Sequence, residues 1–155
     1  MGRSERAGVI AFLQSNAAEE TLDIAGQRAR MDKLAEYFTV PDGTEVEPGA
    51  VGGIRGEWVR AKRARRDAVL LYLHGGGYVV GSPVSHRHIV AAIGEASGLS
   101  VFAADYRLAP EHPFPAAVED GVAAYKGLID SGIANGRIAI AGDSAGGGLT
   151  LATLL

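Results

Sequence analysis

"RIAIAGDSAGGGLTLATLL", residues 137–155, starts as a short apolar strand and continues as a helix, with Gly142-Asp143-Ser144-Ala145-Gly146 at the junction. These five residues fit G-x-S-x-G. The glycines two before and two after the serine let the backbone turn sharply and lift the Ser144 hydroxyl clear of a sheet. A helix beginning at Ala145 leaves its first N–H groups unpaired, so the Ala145 N–H can help hold the anionic oxygen of a tetrahedral intermediate. In a chain with 22 glycines the bare motif is weak. Its position between strand and helix is what gives it weight.

Upstream, the same grammar repeats. "AVLLYLHGGG" (68–77) is a continuous apolar run ending in glycines, which fits a strand buried on both faces of a parallel sheet. "SHRHIVAAIGEASG" reads as a helix stopped by Gly98, and "SVFAADYRL" as the next strand. "PAAVEDGVAAYKGLIDSG" reads as a helix opened by Pro115, where the missing N–H costs nothing. Strand and helix alternate to the end of the chain, the pattern of βαβ units with helices on both faces of a sheet. Consecutive glycines directly after a buried strand let the backbone approach a ligand and turn N–H groups toward it, which supplies the second half of an oxyanion hole. Phosphate binding fits less well. Gly75, Gly77 and Gly81 miss G-x-G-x-x-G by one residue, and no lysine completes a phosphate loop at either glycine cluster. His74 precedes the glycines and reads as a buried imidazole bracing the loop.

The first third of the chain is different in kind. Residues 5–38 read as two helices broken near "SNAAEE", with Leu22, Ile24, Met31, Leu34, Tyr37 and Phe38 at three- and four-residue steps. Val9, Ile10, Phe12 and Leu13 share one helical face, so an amphipathic surface helix explains the N-terminus better than a signal peptide. Turn residues from Pro41 to Gly49 end the helical region. Two short strands follow, the second carrying Ile54, Trp58 and Val59, although the glycines around them weaken that reading. The expected organisation is a helical cap segment over 1–45 and a core over 46–155.

Composition narrows the function classes. With 155 residues, 47% of them hydrophobic, the chain can bury the core of one ordinary domain. A net charge of −3 supplies no broad basic field for nucleic acid, and "RAKRARR" (60–66) reads as a solvated turn. Without cysteine there is no disulfide frame, thiolate nucleophile or thiolate metal site. No apolar run reaches the length of a membrane span. No metal or organic cofactor is called for, and a cytoplasmic location is the expectation.

Three stretches together, "HGGGY" at 74–78, "DYRLAPEHPFPAAVED" at 105–120 and "GDSAGGG" at 142–148, resemble the hormone-sensitive lipase family of α/β-hydrolase-fold esterases. The resemblance covers residues 68–155 well and the N-terminal portion loosely. It implies the α/β-hydrolase fold, with a mostly parallel central sheet, helices on both faces and an N-terminal helical cap over an acyl pocket. It implies Ser144 as nucleophile, the N–H groups of Gly76, Gly77 and Ala145 as the oxyanion hole, and Tyr78 as a lining residue of the substrate site. Gly148 departs from the asparagine that many members carry, a change touching helix packing more than chemistry. In the proline-rich stretch, Pro110, Pro113 and Pro115 stiffen a loop beside the site, with Arg107 and Glu111 expected to pair. Asp143 is expected in a supporting or surface role rather than as the triad acid.

The implied activity is hydrolysis of short to medium acyl esters through an acyl-enzyme, with a small-molecule ester as substrate and a homodimer possible. Two alternatives stay open: amide or formamide hydrolysis, and a non-catalytic ligand-binding protein of the same fold. Residues 145–155 contain no Asp, Glu or His, whereas triad partners follow the serine in this fold. The strand "RIAIAG" is expected to be central in its sheet, so a chain stopping one helix later would leave an apolar edge open. The expectation is therefore that these residues are the N-terminal half of a protein of roughly 300 residues, the remainder supplying acid, base and further strands.

Overall fold

From Ala68 to Leu73 every residue of β3 (Arg65–Leu73) is buried, and that strand organises everything else. It pairs in parallel with β4 (Leu99–Ala104) on one side and β5 (Ile138–Gly142) on the other. Its side chains alternate between two apolar clusters, as a doubly covered strand requires. Val69, Leu71 and Leu73 pack with Ala117, Ala124 and Leu128 of α4 (Ala116–Asp130) and Leu149 of α5 (Ala145–Leu154). Leu70 and Tyr72 pack on the other face with Val90 and Ala91 of α3 (Pro83–Ser97). Leu71 and Leu73 have no exposed surface, and burying each contributes about 1.5–3 kcal/mol.

The computed structural model describes residues 3–15 and 22–155. Its five strands form one mixed sheet in the order β1-β2-β4-β3-β5. The parallel core is β4-β3-β5, and β1 (Glu45–Val51) and β2 (Ile54–Arg60) add an antiparallel hairpin at the β4 side. The glycines that weakened the strand reading make this hairpin possible. Gly52 and Gly53, both at positive φ (58° and 80°), form a two-residue turn between the paired Val51 and Ile54. Among the described residues β5 pairs with β3 and no other strand, so its second edge is open, as expected of these residues taken alone.

Helix ends follow local chemistry. α3 starts at a reciprocal cap in which Ser82 Oγ accepts from Ser85 N and Ser85 Oγ accepts from Ser82 N. It stops at Gly98, in the left-handed conformation at φ 68°. α4 begins one residue later than the sequence suggests, with Pro115 as the flanking cap and Ala116 as the first helical residue. The basic run is only partly a turn: Arg60 ends β2 and pairs with Glu47, while Arg65 and Arg66 open β3.

In the N-terminal third, α1 (Arg3–Ser15) and α2 (Ile24–Leu34) match the two expected helices. The break expected near 15–20 falls mostly outside the described residues. Phe12 meets the rings of Tyr37 and Phe38 edge-on, and Phe38 stacks on His88 of α3 at 4.3 Å. Val9 and Ile10 remain 48% and 44% exposed, so the apolar stripe of α1 is only partly covered. Among the described residues, no helix is long and apolar enough to cross a membrane.

Candidate active site

Leu73 and Gly142 lie opposite each other at the carboxyl ends of two neighbouring parallel strands. The chain therefore leaves the sheet twice at the same place, once as the 74–81 glycine loop and once as the turn into α5.

The second exit carries Ser144, which is exposed and adopts φ 50°, ψ −120°. That region costs a non-glycine residue about 1–3 kcal/mol and persists only when the surroundings enforce it. They do so by close packing. A Cβ at Gly146 would lie 1.9 Å from the Leu73 carbonyl oxygen, and one at Gly142 would lie 2.4 Å from the same oxygen. Only hydrogen fits between the turn and the end of β3. The Ser144 hydroxyl does not cap the helix it precedes.

The first exit is stabilised by its own turn, in which Val79 N and Val80 N both donate to the Gly76 carbonyl. Gly76, Gly77 and Tyr78 all take positive φ, at 121°, 63° and 62°. Among the described residues, no backbone carbonyl accepts from the N–H of Gly76, Gly77 or Ala145. The site thus has an exposed hydroxyl on a strained turn and three uncommitted backbone donors on the two loops flanking it. Tyr78 is 37% exposed, and its hydroxyl lies over Gly148, where a Cβ would come within 3.2 Å of it.

Asp143 joins the two loops. One carboxylate oxygen accepts from Gly75 N at 2.8 Å and from the Tyr72 hydroxyl at 2.9 Å. The other lies 3.6 Å from His86 Nε2. Burial, then this hydrogen bond, pushes the Tyr72 phenol well above its ordinary range, so it stays a donor. The supporting role expected of Asp143 is what the geometry displays.

Two histidines lie buried near the same carboxylate. His74 stacks on Tyr106 at 4.3 Å, and its Nδ1 donates to the Gly75 carbonyl at 2.8 Å. The Tyr106 hydroxyl donates to the His74 carbonyl at 2.6 Å. Burial lowers the His74 pKa to about 4, which keeps the ring neutral and suits it to bracing the loop. His86 sits with Nδ1 2.9 Å from Ser85 Oγ.

The proline-rich loop departs from expectation. Arg107 does not pair with Glu111. It forks onto Asp120 at 2.7 Å and Glu119 at 3.0 Å, and its backbone N–H also donates to Asp120. A four-residue spacing brings side chains together only on a helix, and residues 105–110 are not helical. Asp120, in the second turn of α4, is nearly buried and needs the donors more than exposed Glu111 does. Glu111 instead takes Arg28 of α2 in a two-bond fork. Arg28 also donates to the carbonyls of Val79 and Ala109, at 2.8 and 2.9 Å. Asp32 accepts from the Ser82 hydroxyl, so α2 holds the far end of the glycine loop, at Val79 and Ser82. Sequence reading missed Arg28, Asp32 and His86, since their partners are distant in sequence or belong to another loop.

Residues 70–155 match the sequence model of a family described as alpha/beta hydrolase fold. The chain belongs to the α/β-hydrolase fold family. An acetyl-hydrolase from Streptomyces hygroscopicus is 50% identical to this α/β-hydrolase over 136 residues, covering 85% of this chain and 44% of that protein. A putative acetyl-hydrolase LipR from Mycobacterium tuberculosis is 38% identical, covering 87% of this chain and 44% of that protein. Among solved structures, an esterase of the bacterial hormone-sensitive lipase family superposes with a TM-score of 0.93 at 44% identity. It covers 99% of this chain and 52% of its own, in keeping with the three motifs. An esterase/lipase from an uncultured bacterium gives 0.90 at 46% identity, with the same coverage. This α/β-hydrolase chain spans about half the length of the relatives it matches.

Proposed function

We propose that these residues carry the nucleophile and oxyanion hole of a carboxylic ester hydrolase acting on short to medium acyl esters. The observation that carries this reading is the strained, exposed Ser144 at the strand-to-helix turn, beside a glycine loop with uncommitted N–H groups. Ser144 Oγ attacks the ester carbonyl. The N–H groups of Gly76, Gly77 and Ala145 stabilise the oxyanion, the alcohol leaves, and water releases the acid from the acyl-enzyme. The names of the acetyl-hydrolase relatives support the short end of the acyl range. Residues 1–45 serve as a cap segment, and Tyr78 lines the substrate site.

The base and its orienting acid come from outside these 155 residues in this proposal. His74 and His86 are 1% and 6% exposed, each with Nδ1 held by a neighbouring group, and Asp143 is engaged with Gly75 and Tyr72. A fluorophosphonate should label Ser144 of the intact protein. Ser144→Ala should abolish both labelling and p-nitrophenyl butyrate hydrolysis without shifting the unfolding midpoint downward. Full activity in the alanine variant would remove Ser144 from the mechanism.

A further inference from the structure

Tyr78 occupies a backbone conformation that suits glycine. At φ 62° it follows three glycines in succession, yet it carries a large aromatic side chain. Such strain gathers where a side chain has a task. The hydroxyl end of that side chain lies over Gly148, where an added Cβ would be 3.2 Å from the oxygen. Gly148 lies in the first turn of α5, which begins directly after Ser144, and Ala152 is one turn further on the same face. Tyr78 lines one wall of a cavity of about 320 Å³ with largely apolar walls, which also include Ala109, Pro115, Val118 and Ala152.

Resting on the reading of Ser144 as nucleophile, we propose that Tyr78 is the partition that sets acyl length. Its ring separates the space in front of Ser144 from this cavity, which is a latent subsite for a medium-length alkyl chain. Gly148 has no side chain to block the way, so the aromatic ring alone closes it. The partition favours the short end of that acyl range, and removing the ring joins the cavity to the site.

The test uses the intact protein and compares kcat/KM for p-nitrophenyl acetate, butyrate and octanoate. Tyr78→Ala should raise the octanoate-to-acetate ratio at least about tenfold, short of the roughly fourfold per methylene that complete burial would give. Tyr78→Phe keeps the ring and should leave the ratio near that of the unaltered protein. Adding Ala152→Phe to Tyr78→Ala refills the cavity and should cancel the gain. Tyr78→Gly relieves the positive φ and replaces the alanine variant if that one does not fold. An unchanged ratio in the ring-deleted protein, or a gain that survives Ala152→Phe, overturns the partition and leaves the ester reading intact. A wild-type protein inactive on all three esters overturns both.

Discussion

Replacing Asp143 by alanine removes a carboxylate of which one oxygen serves two donors, on another strand and its loop. The Tyr72 side chain belongs to a residue only 2% exposed, so its hydroxyl cannot turn to water and is left unpaired at about 1–3 kcal/mol. The Gly75 N–H loses a charged acceptor, a bond of about 1.5–3 kcal/mol when buried. The lower end applies here, because the Asp143 side chain keeps 41% exposure and its charge is screened. The sum is about 3 kcal/mol. Tyr72→Phe, which leaves the Gly75 bond in place, should cost only about 1 kcal/mol. The two substitutions share one bond, so the double variant should fall short of additivity by about 1 kcal/mol or more. Urea denaturation of the intact protein and its three variants, followed by circular dichroism, measures all four terms. Because Gly75 anchors the glycine loop, kcat for p-nitrophenyl butyrate should fall more than KM rises. Additivity within about 0.5 kcal/mol, or an Asp143→Ala cost below about 1 kcal/mol, would refute the bridging role.

Gly146→Ala should destabilise by more than about 3 kcal/mol, since its Cβ meets backbone oxygens at 1.9 and 2.6 Å that cannot step aside. Gly136→Ala, with nothing within 4 Å, should be near neutral in the same denaturation assay. His74 has a folded pKa of about 4, below its unfolded value, so the unfolded chain binds the proton first. Stability should be complete above about pH 6.5 and decline as pH falls toward 4, by about 3 kcal/mol. His74→Gln should flatten that slope in urea titrations. Glu111 is held down to about 2 by the Arg28 fork, so its contribution is present above the ordinary carboxylate range and lost as pH falls toward 2. Carbon-detected NMR titration should return Glu111 to the ordinary range in Arg28→Met, and an unshifted midpoint would show that the fork does not form in solution.

What the sequence makes legible is what local chemistry specifies. The apolar run at 68–73 announces a doubly buried strand because no other arrangement hides both of its faces. Gly98 stops α3 in the conformation that glycine tolerates best. G-x-S-x-G identifies the strained turn because its glycines are sterically required by the end of β3. Illegible features depend on distance in the chain. Nothing in "GQRARMDK" distinguishes Arg28 from Arg30, since the acceptors of Arg28 are 51, 81 and 83 positions away. The Arg107 partner was misplaced for the opposite reason: Glu111 is near in sequence, and only the fold shows that Asp120 is nearer in space.

The two strained residues of the site are enforced from different directions, and this makes their positions interdependent. Ser144 is fixed by its own turn, where Gly146 N and Gly147 N both donate to the Asp143 carbonyl, and by the packing of that turn against the end of β3. Tyr78 is fixed from outside: its carbonyl accepts from Ala109 N, and the neighbouring Val79 carbonyl accepts from Arg28. The Asp143 side chain then reaches from the first turn to Gly75 at the root of the second. Strain survives only where the surroundings over-determine it, so loosening one anchor relaxes more than the residue it touches. Arg28 on α2 and Asp143 on the elbow are far apart in the chain, yet each anchors the same glycine loop. α2 therefore contributes to the placement of the backbone donors as directly as the strands do, although it supplies no group that touches the reacting atoms.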